Sequence, residues 1–199
     1  MRGRLLVVEG LDGTGKSTLS RGLAAALGAE WRTTPSAALR AARGPFDLAY
    51  AALPAASQLF YAATVLEATG ELRVLLDAGR DVVLDRYWCT TLAYATAAGS
   101  PLHLDEVERL LPAADVTLYL HLDDAERARR LAGRGASAMD LATFQGDHRR
   151  ALERAYAAAL RRPVAGRVHR VDVTGLDEEA LLGRVLPLVT PPFSADGAA

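Results

Sequence analysis

Apolar positions along the chain recur with two different periods, and the switches between them outline an alternation of strands and helices. Leu5-Leu6-Val7-Val8 is a short apolar run bounded by charges and glycines, the pattern of a strand buried on both faces of a parallel sheet. Gly10 to Gly15 then interrupts regular structure. From Lys16 to Leu27 the leucines at 19, 23 and 27 recur every fourth residue, and Gly28 supplies a stop, so an amphipathic helix is expected there. A short strand is expected at 30–33, followed by a stretch through Pro45 with no clear pattern.

Pro54 suits a helix start, and Leu59, Phe60, Ala63, Leu66, Leu72 and Leu75-Leu76 continue a helical stripe to Gly79. A strand at 81–85, a helix at about 88–98, a helix at 105–111 and a strand at 116–122 follow. Asp123 and Asp124 are suitable caps or first-turn acids for a helix over 125–132. A long helix at roughly 140–160, a strand at 167–173 and a helix at 177–186 complete the pattern. Such alternation predicts an α/β fold, a parallel five-stranded sheet with helices on both faces and ligands at the carboxyl ends of its strands. One domain over 1–190 is expected, with residues 191–199 as a flexible tail.

Composition narrows the function classes. The chain has 199 residues, half of them hydrophobic, and a net charge of −1, so no surplus of positive charge favours nucleic acid or an anionic membrane. No 18-residue apolar run appears, and one cysteine, Cys89, excludes an internal disulfide; a cytoplasmic location is expected. Of the 23 basic residues only Lys16 is a lysine, which leaves 22 arginines. Together with 39 alanines this reads as a compositional bias that converts any lysine whose charge needs only solvent. The surviving lysine lies in a motif that calls for one.

That motif is Gly10-Leu11-Asp12-Gly13-Thr14-Gly15-Lys16-Ser17, the phosphate-binding loop pattern, placed between a buried strand and a helix as the pattern requires. Gly10, Gly13 and Gly15 let backbone N–H groups curl around phosphate oxygens, and Asp12, Thr14 and Thr18 complete the nucleotide-binding segment. Lys16 would reach the β- and γ-phosphates of ATP and Ser17 a Mg²⁺ ion. Asp85 closes a buried strand at the ligand edge, where an aspartate can hold a metal-bound water. Arg86 follows it, with a fork suited to a phosphate.

The segments Glu9 to Thr18, Leu59-Phe60-Tyr61-Ala62-Ala63, and Leu84-Asp85-Arg86-Tyr87 followed by Thr91 to Tyr94 resemble the thymidylate kinase family in order and approximate spacing. The resemblance implies transfer of the γ-phosphoryl of ATP to a nucleoside monophosphate, in the family dTMP to dTDP. It further implies that Asp12 contacts the acceptor, Phe60 stacks on its base, Arg86 orients its phosphate and Tyr94 lines the sugar pocket. A lid is implied near 133–140, with Arg134 as its arginine and Arg130 second.

The chain departs from the family at several points. Thr64 stands where the family usually carries a base-contacting arginine, Ala95 where it carries glutamine, and Arg32-Thr33-Thr34-Pro35-Ser36 only dimly matches an Arg-Glu-Pro-Gly-Gly segment. Two further readings therefore stay open: a kinase for another or modified pyrimidine nucleotide or nucleoside, and a nucleotide-binding protein with weak catalysis. Arg40 is a candidate for the acceptor phosphate or a surface residue. Arg127 and Arg129 read as a solvated helix face; Arg149, Arg150 and Arg154 read as a solvated face or part of a homodimer surface. The four histidines have no metal-ligand spacing.

Overall fold

A computed structural model describes residues 1–133, 143–144 and 146–190. Five strands, β1 (Leu5–Gly10), β2 (Glu30–Thr33), β3 (Val82–Asp85), β4 (Val116–His121) and β5 (Arg167–Asp172), form one sheet in the order β2-β3-β1-β4-β5, and every pairing is parallel. The helices are α1 (Lys16–Leu27), α2 (Ala37–Ala49), α3 (Pro54–Asp77), α4 (Trp88–Ala97), α5 (Asp105–Glu108), α6 (Asp124–Gly133), α7 (Gly146–Ala159) and α8 (Glu178–Val189). β1 lies at the centre; the helix that follows it, α1, packs on one face of the sheet and the helix that follows its neighbour β3, α4, on the other, so a crevice opens where the carboxyl ends of β1 and β3 meet.

Alternation along β1 divides the core between the two faces of the sheet. Leu6 and Val8 pack with Leu19 and Leu23 of α1 and with Leu181, Val185 and Val189 of α8. Leu5 and Val7 pack on the opposite face with Ala62, Val65, Leu72 and Leu76 of α3 and with Trp88 of α4. The parallel five-stranded sheet covered on both faces is thus as expected. A third cluster joins α4 to α7 through Cys89, Ala93, Leu152, Ala155 and Tyr156.

Three elements differ from the sequence expectation. The stretch before Pro45 is α2, a helix with no fully buried residue whose apolar positions Leu39, Ala42 and Phe46 are only half-buried. Pro45 sits inside it. The helix expected at 105–111 ends at Glu108, and the last helix continues through Pro187 to Val189. Asp123 caps α6, its Oδ1 accepting from Ala125 N at 2.8 Å and Glu126 N at 3.2 Å. The segments expected to form a lid beyond Gly133 and a tail at 191–199 lie outside the described residues, as does Arg134.

Candidate active site

The loop between β1 and α1 depends on backbone conformations that only glycine adopts cheaply. At Gly10, φ is 142° and a Cβ would stand 2.5 Å from the Leu120 carbonyl oxygen. At Gly13, φ is 89° and a Cβ would meet Leu131 Cγ at 3.0 Å and Arg127 Cγ at 3.1 Å. Thr14 ties the loop to itself, its Oγ1 donating to Leu11 O at 2.8 Å. Among the described residues the N–H groups of Gly13 and Gly15 donate no hydrogen bond, which leaves them for a ligand at the N-terminus of α1.

Lys16 lies in this loop, 5 % exposed, and its Nζ donates to Leu11 O at 2.7 Å. Burial pulls its pKa from the ordinary lysine range to about 7, the Arg86 guanidinium adds to the depression, and Asp12, Asp85 and Glu9 oppose it. An anion placed beside Nζ would restore the charge. Ser17 is the second residue of α1, and its Oγ donates to Asp85 Oδ2 at 2.5 Å. The other carboxylate oxygen, Asp85 Oδ1, is buried and has no hydrogen-bond partner among the described residues. Thr18 is exposed on the following position.

Arg86 is the only described residue other than glycine with positive φ, at 68°. The strain is held from both ends: its N–H donates to Val8 O at 3.0 Å and its carbonyl accepts from Thr34 Oγ1 at 3.0 Å. Its side chain forms an ion pair with Asp12. Burial is the largest influence and opposes the charge on Arg86, but the Asp12 carboxylate together with Tyr94, Tyr156 and Asp85 outweighs it and raises the pKa. Glu9 fixes the residues that follow, since its carboxylate accepts from Tyr87 N at 3.0 Å, Thr90 N at 3.2 Å and the Thr90 hydroxyl at the start of α4. Burial raises the Glu9 pKa, and the hydrogen bonds from Thr90 pull it back.

Beside Arg86 a cavity of about 260 Å³ is walled by α2, α3 and α4. Asp12, Arg86 and Tyr94 line it, and the Tyr94 hydroxyl donates to Asp12 Oδ2 at 3.2 Å. Pro54, Ser57, Gln58, Tyr61 and Thr64 of α3 line it too, spaced so that they share one helix face. Phe60 falls off that face. Its ring stacks on Phe46 of α2 at a centroid distance of 4.3 Å, and Tyr61 rather than Phe60 is among the residues that line the cavity.

Tyr61 is tethered to α2, its hydroxyl donating to Asp47 Oδ1 at 2.6 Å and accepting from Arg43 Nε at 3.1 Å. Burial and the Asp47 carboxylate push its pKa up to about 12. Arg43 and His148 line the cavity whereas Arg40 does not. Sequence reasoning missed Arg43, Asp47, Tyr61 and His148; the i, i+3, i+7 row running from Pro54 through Ser57 to Tyr61 was the available signal for Tyr61.

Arg127 corrects another expectation. It is not on a solvated face: the side chain is 1 % exposed, with Nη1 donating to Thr143 Oγ1 at 2.8 Å and to the Asp12 carbonyl at 3.4 Å, and the guanidinium 3.8 Å above the Phe144 ring. Arg130 pairs with Glu126, and Arg149 with Asp124 and Glu153.

A glycine loop between a central parallel strand and a helix, faced by an Asp-Arg pair from the neighbouring strand, defines a phosphate-loop α/β protein built to hold nucleotide phosphates. The thymidylate kinase family model matches residues 8–179, and the chain belongs to that family. A thymidylate kinase of Cereibacter sphaeroides is 35% identical over 206 residues, covering 89% of this chain and 90% of that protein. One from Chlorobium chlorochromatii is 31% identical over 155 residues, covering 69% and 68%. The solved thymidylate kinase of Candida albicans superposes with a TM-score of 0.74 at 22% identity, covering 94% of this chain and 91% of that one, a likeness of fold. Among the described residues no helix is long and apolar enough to cross a membrane.

Proposed function

We propose that the protein transfers the γ-phosphoryl of ATP to dTMP, giving dTDP and ADP. The carrying observation is the meeting of two differently built subsites at Asp12: the phosphate loop with Lys16 on one side, and the cavity lined by Arg86, Tyr94 and Tyr61 on the other. An acceptor phosphate oxygen attacks the γ-phosphorus, a new P–O bond forms, and the bond to the β-phosphate oxygen breaks as ADP leaves. The acceptor phosphate is already a nucleophile, so the protein's task is positioning and electrostatic stabilisation.

Gly10, Gly13, Thr14, Gly15, Ser17 and Thr18 form the segment that receives ATP, with Lys16 carrying the charge nearest the transferred group. Arg86 orients the acceptor phosphate by exchanging part of its pairing with Asp12 for it. Tyr94 with Asp12 borders the sugar, and the Tyr61 ring rather than that of Phe60 faces the base. Arg134 keeps its proposed place as the lid arginine.

Mg²⁺ fits the donor set here. Ser17 Oγ and Asp85 are oxygen ligands of the hard type, and the buried Asp85 Oδ1 has no partner among the described residues. Among them there is no cluster of three or more His, Cys, Asp or Glu able to enclose a metal, and a cation held by Ser17 and Asp85 would fill its other positions with phosphate oxygens and water. When bound, Mg²⁺ neutralises charge on the β- and γ-phosphates.

Family membership favours dTMP over the other acceptors, and the cytoplasm is the location we propose. Supplying ATP and Mg²⁺ with each of dTMP, dUMP, dCMP, dAMP and thymidine tests this reading. Turnover of dTMP well above the rest supports it; turnover of another acceptor above dTMP replaces the substrate, and ATP binding without transfer to any acceptor replaces the enzyme by a binding protein.

A further inference from the structure

We propose that Arg127 is a positioning residue for the donor phosphates, acting through the peptide between Asp12 and Gly13; this rests on the reading that the phosphate loop holds ATP. Arg127 leaves α6 and runs beneath the loop, its Cγ 3.1 Å from where a Gly13 Cβ would stand. One arm of the fork, Nη1, reaches the Asp12 carbonyl at 3.4 Å, while Nη1 and Nη2 also donate to Thr143 Oγ1 at 2.8 Å and Thr143 O at 3.2 Å. The guanidinium plane rests on the Phe144 ring. With the side chain 1 % exposed, the cation has one position.

A trans peptide points its C=O and N–H in opposite directions. Holding the Asp12 oxygen from beneath therefore turns the Gly13 N–H away from Arg127, into the loop, and that N–H donates no hydrogen bond among the described residues. It is thus presented to an incoming phosphate oxygen before the ligand arrives. The cost of orienting the peptide is met in the folded protein rather than on binding. The same buried positive charge lies behind the phosphate site, in surroundings where water screens it weakly. Arg127 touches no phosphate in this scheme, and it joins three pieces of chain, α6, the loop and residues 143–144, that are far apart in sequence.

Binding of the non-hydrolysable ATP analogue AMP-PNP with Mg²⁺, of adenosine and of dTMP, followed by calorimetry on the full chain, tests the proposal. Arg127→Met keeps the stem and removes the fork and charge; the expected result is a rise of about 10-fold or more in Kd for AMP-PNP, with adenosine and dTMP changed less than about threefold. Arg127→Lys should recover part of the loss, because it keeps the charge but cannot bridge Thr143 and the Asp12 carbonyl together. If Arg127→Met does not fold, as judged by circular dichroism, Arg127→Lys and Thr143→Val decide, each expected to weaken AMP-PNP by about threefold and dTMP not at all. Unchanged AMP-PNP affinity in the folded variants, or equal losses for AMP-PNP and dTMP, overturns the proposal. Failure of the wild-type chain to bind AMP-PNP overturns the proposed function itself.

Discussion

The Ser17 hydroxyl and the Asp85 carboxylate meet at 2.5 Å across the carboxyl edge of the sheet, one from the first turn of α1 and the other from the last residue of β3. The pairing joins the helix that follows β1 to the end of β3 and leaves Asp85 Oδ1 buried without a partner among the described residues. A carboxylate so placed is set to hold a cation or its water. Asp85→Asn should raise the half-saturating Mg²⁺ concentration by about 10- to 100-fold and lower kcat while leaving the melting temperature within a few degrees. Titration of activity with Mg²⁺ checks it; an unchanged Mg²⁺ requirement would remove Asp85 from this role.

Lys16 links catalysis to pH. Its folded pKa, about 7, lies below the unfolded value near 10.5, so the cost of burying its charge is fully present below pH 7 and disappears as pH rises toward 10.5. The nucleotide-free protein should gain stability from this group across that window. Lys16→Met should be more stable than wild type at pH 7 by roughly 1–3 kcal/mol, with the difference fading toward pH 10, while kcat falls by about 10²–10³-fold or more. Denaturant unfolding of both proteins at pH 7 and pH 10 gives the comparison.

At Arg86 the side chain and the backbone can be separated. Arg86→Ala and Arg86→Gly both remove the guanidinium and should lose at least about 10²-fold in kcat/KM for the acceptor. Glycine tolerates φ of 68° without a Cβ penalty, so Arg86→Gly should be the more stable of the two by about 1 kcal/mol. Equal stability would mean that the αL conformation relaxes on substitution.

Tyr61 and Phe60 make a paired test of the acceptor wall. Tyr61→Ala should raise KM for dTMP by about 10-fold through the loss of an aromatic face. Phe60→Ala should cost about 1 kcal/mol of stability by losing its stack on Phe46, with KM for dTMP within about twofold of wild type. The reverse pattern in steady-state kinetics would return the base-facing role to Phe60.

These outcomes also mark what could be read from the sequence. The phosphate loop, the strands beside it and the Asp85-Arg86 pair were legible because each depends on a short local pattern: an apolar run, a glycine spacing, a polar residue at a strand end. Helix α2 was not legible, because its short stripe of Leu39, Ala42 and Phe46 is only half-buried, while Gly44-Pro45 looks like a breaker. Phe60 and Tyr61 are adjacent in sequence, but one residue turns a helix by roughly 100°, and only the face shared by Pro54, Ser57, Gln58 and Tyr61 borders the cavity.

Arg127 was misread because charge usually means solvent. Its i, i+4 relation to buried Leu131 was the local signal that it shares the inward face of α6. Its partners, at Asp12 and at 143–144, come from distant segments that no local pattern connects.

The central claim is that phosphoryl transfer to dTMP occurs at the phosphate loop and requires the chain's single lysine. The most direct test is the rate of dTDP formation from ATP and dTMP with Mg²⁺ by the wild-type protein and by Lys16→Met under the same conditions. The account predicts wild-type turnover at roughly 1 to 100 per second and a fall of about 10²–10³-fold or more in the variant. Formation of dTDP at the wild-type rate by Lys16→Met, or no dTDP from the wild type, would contradict it.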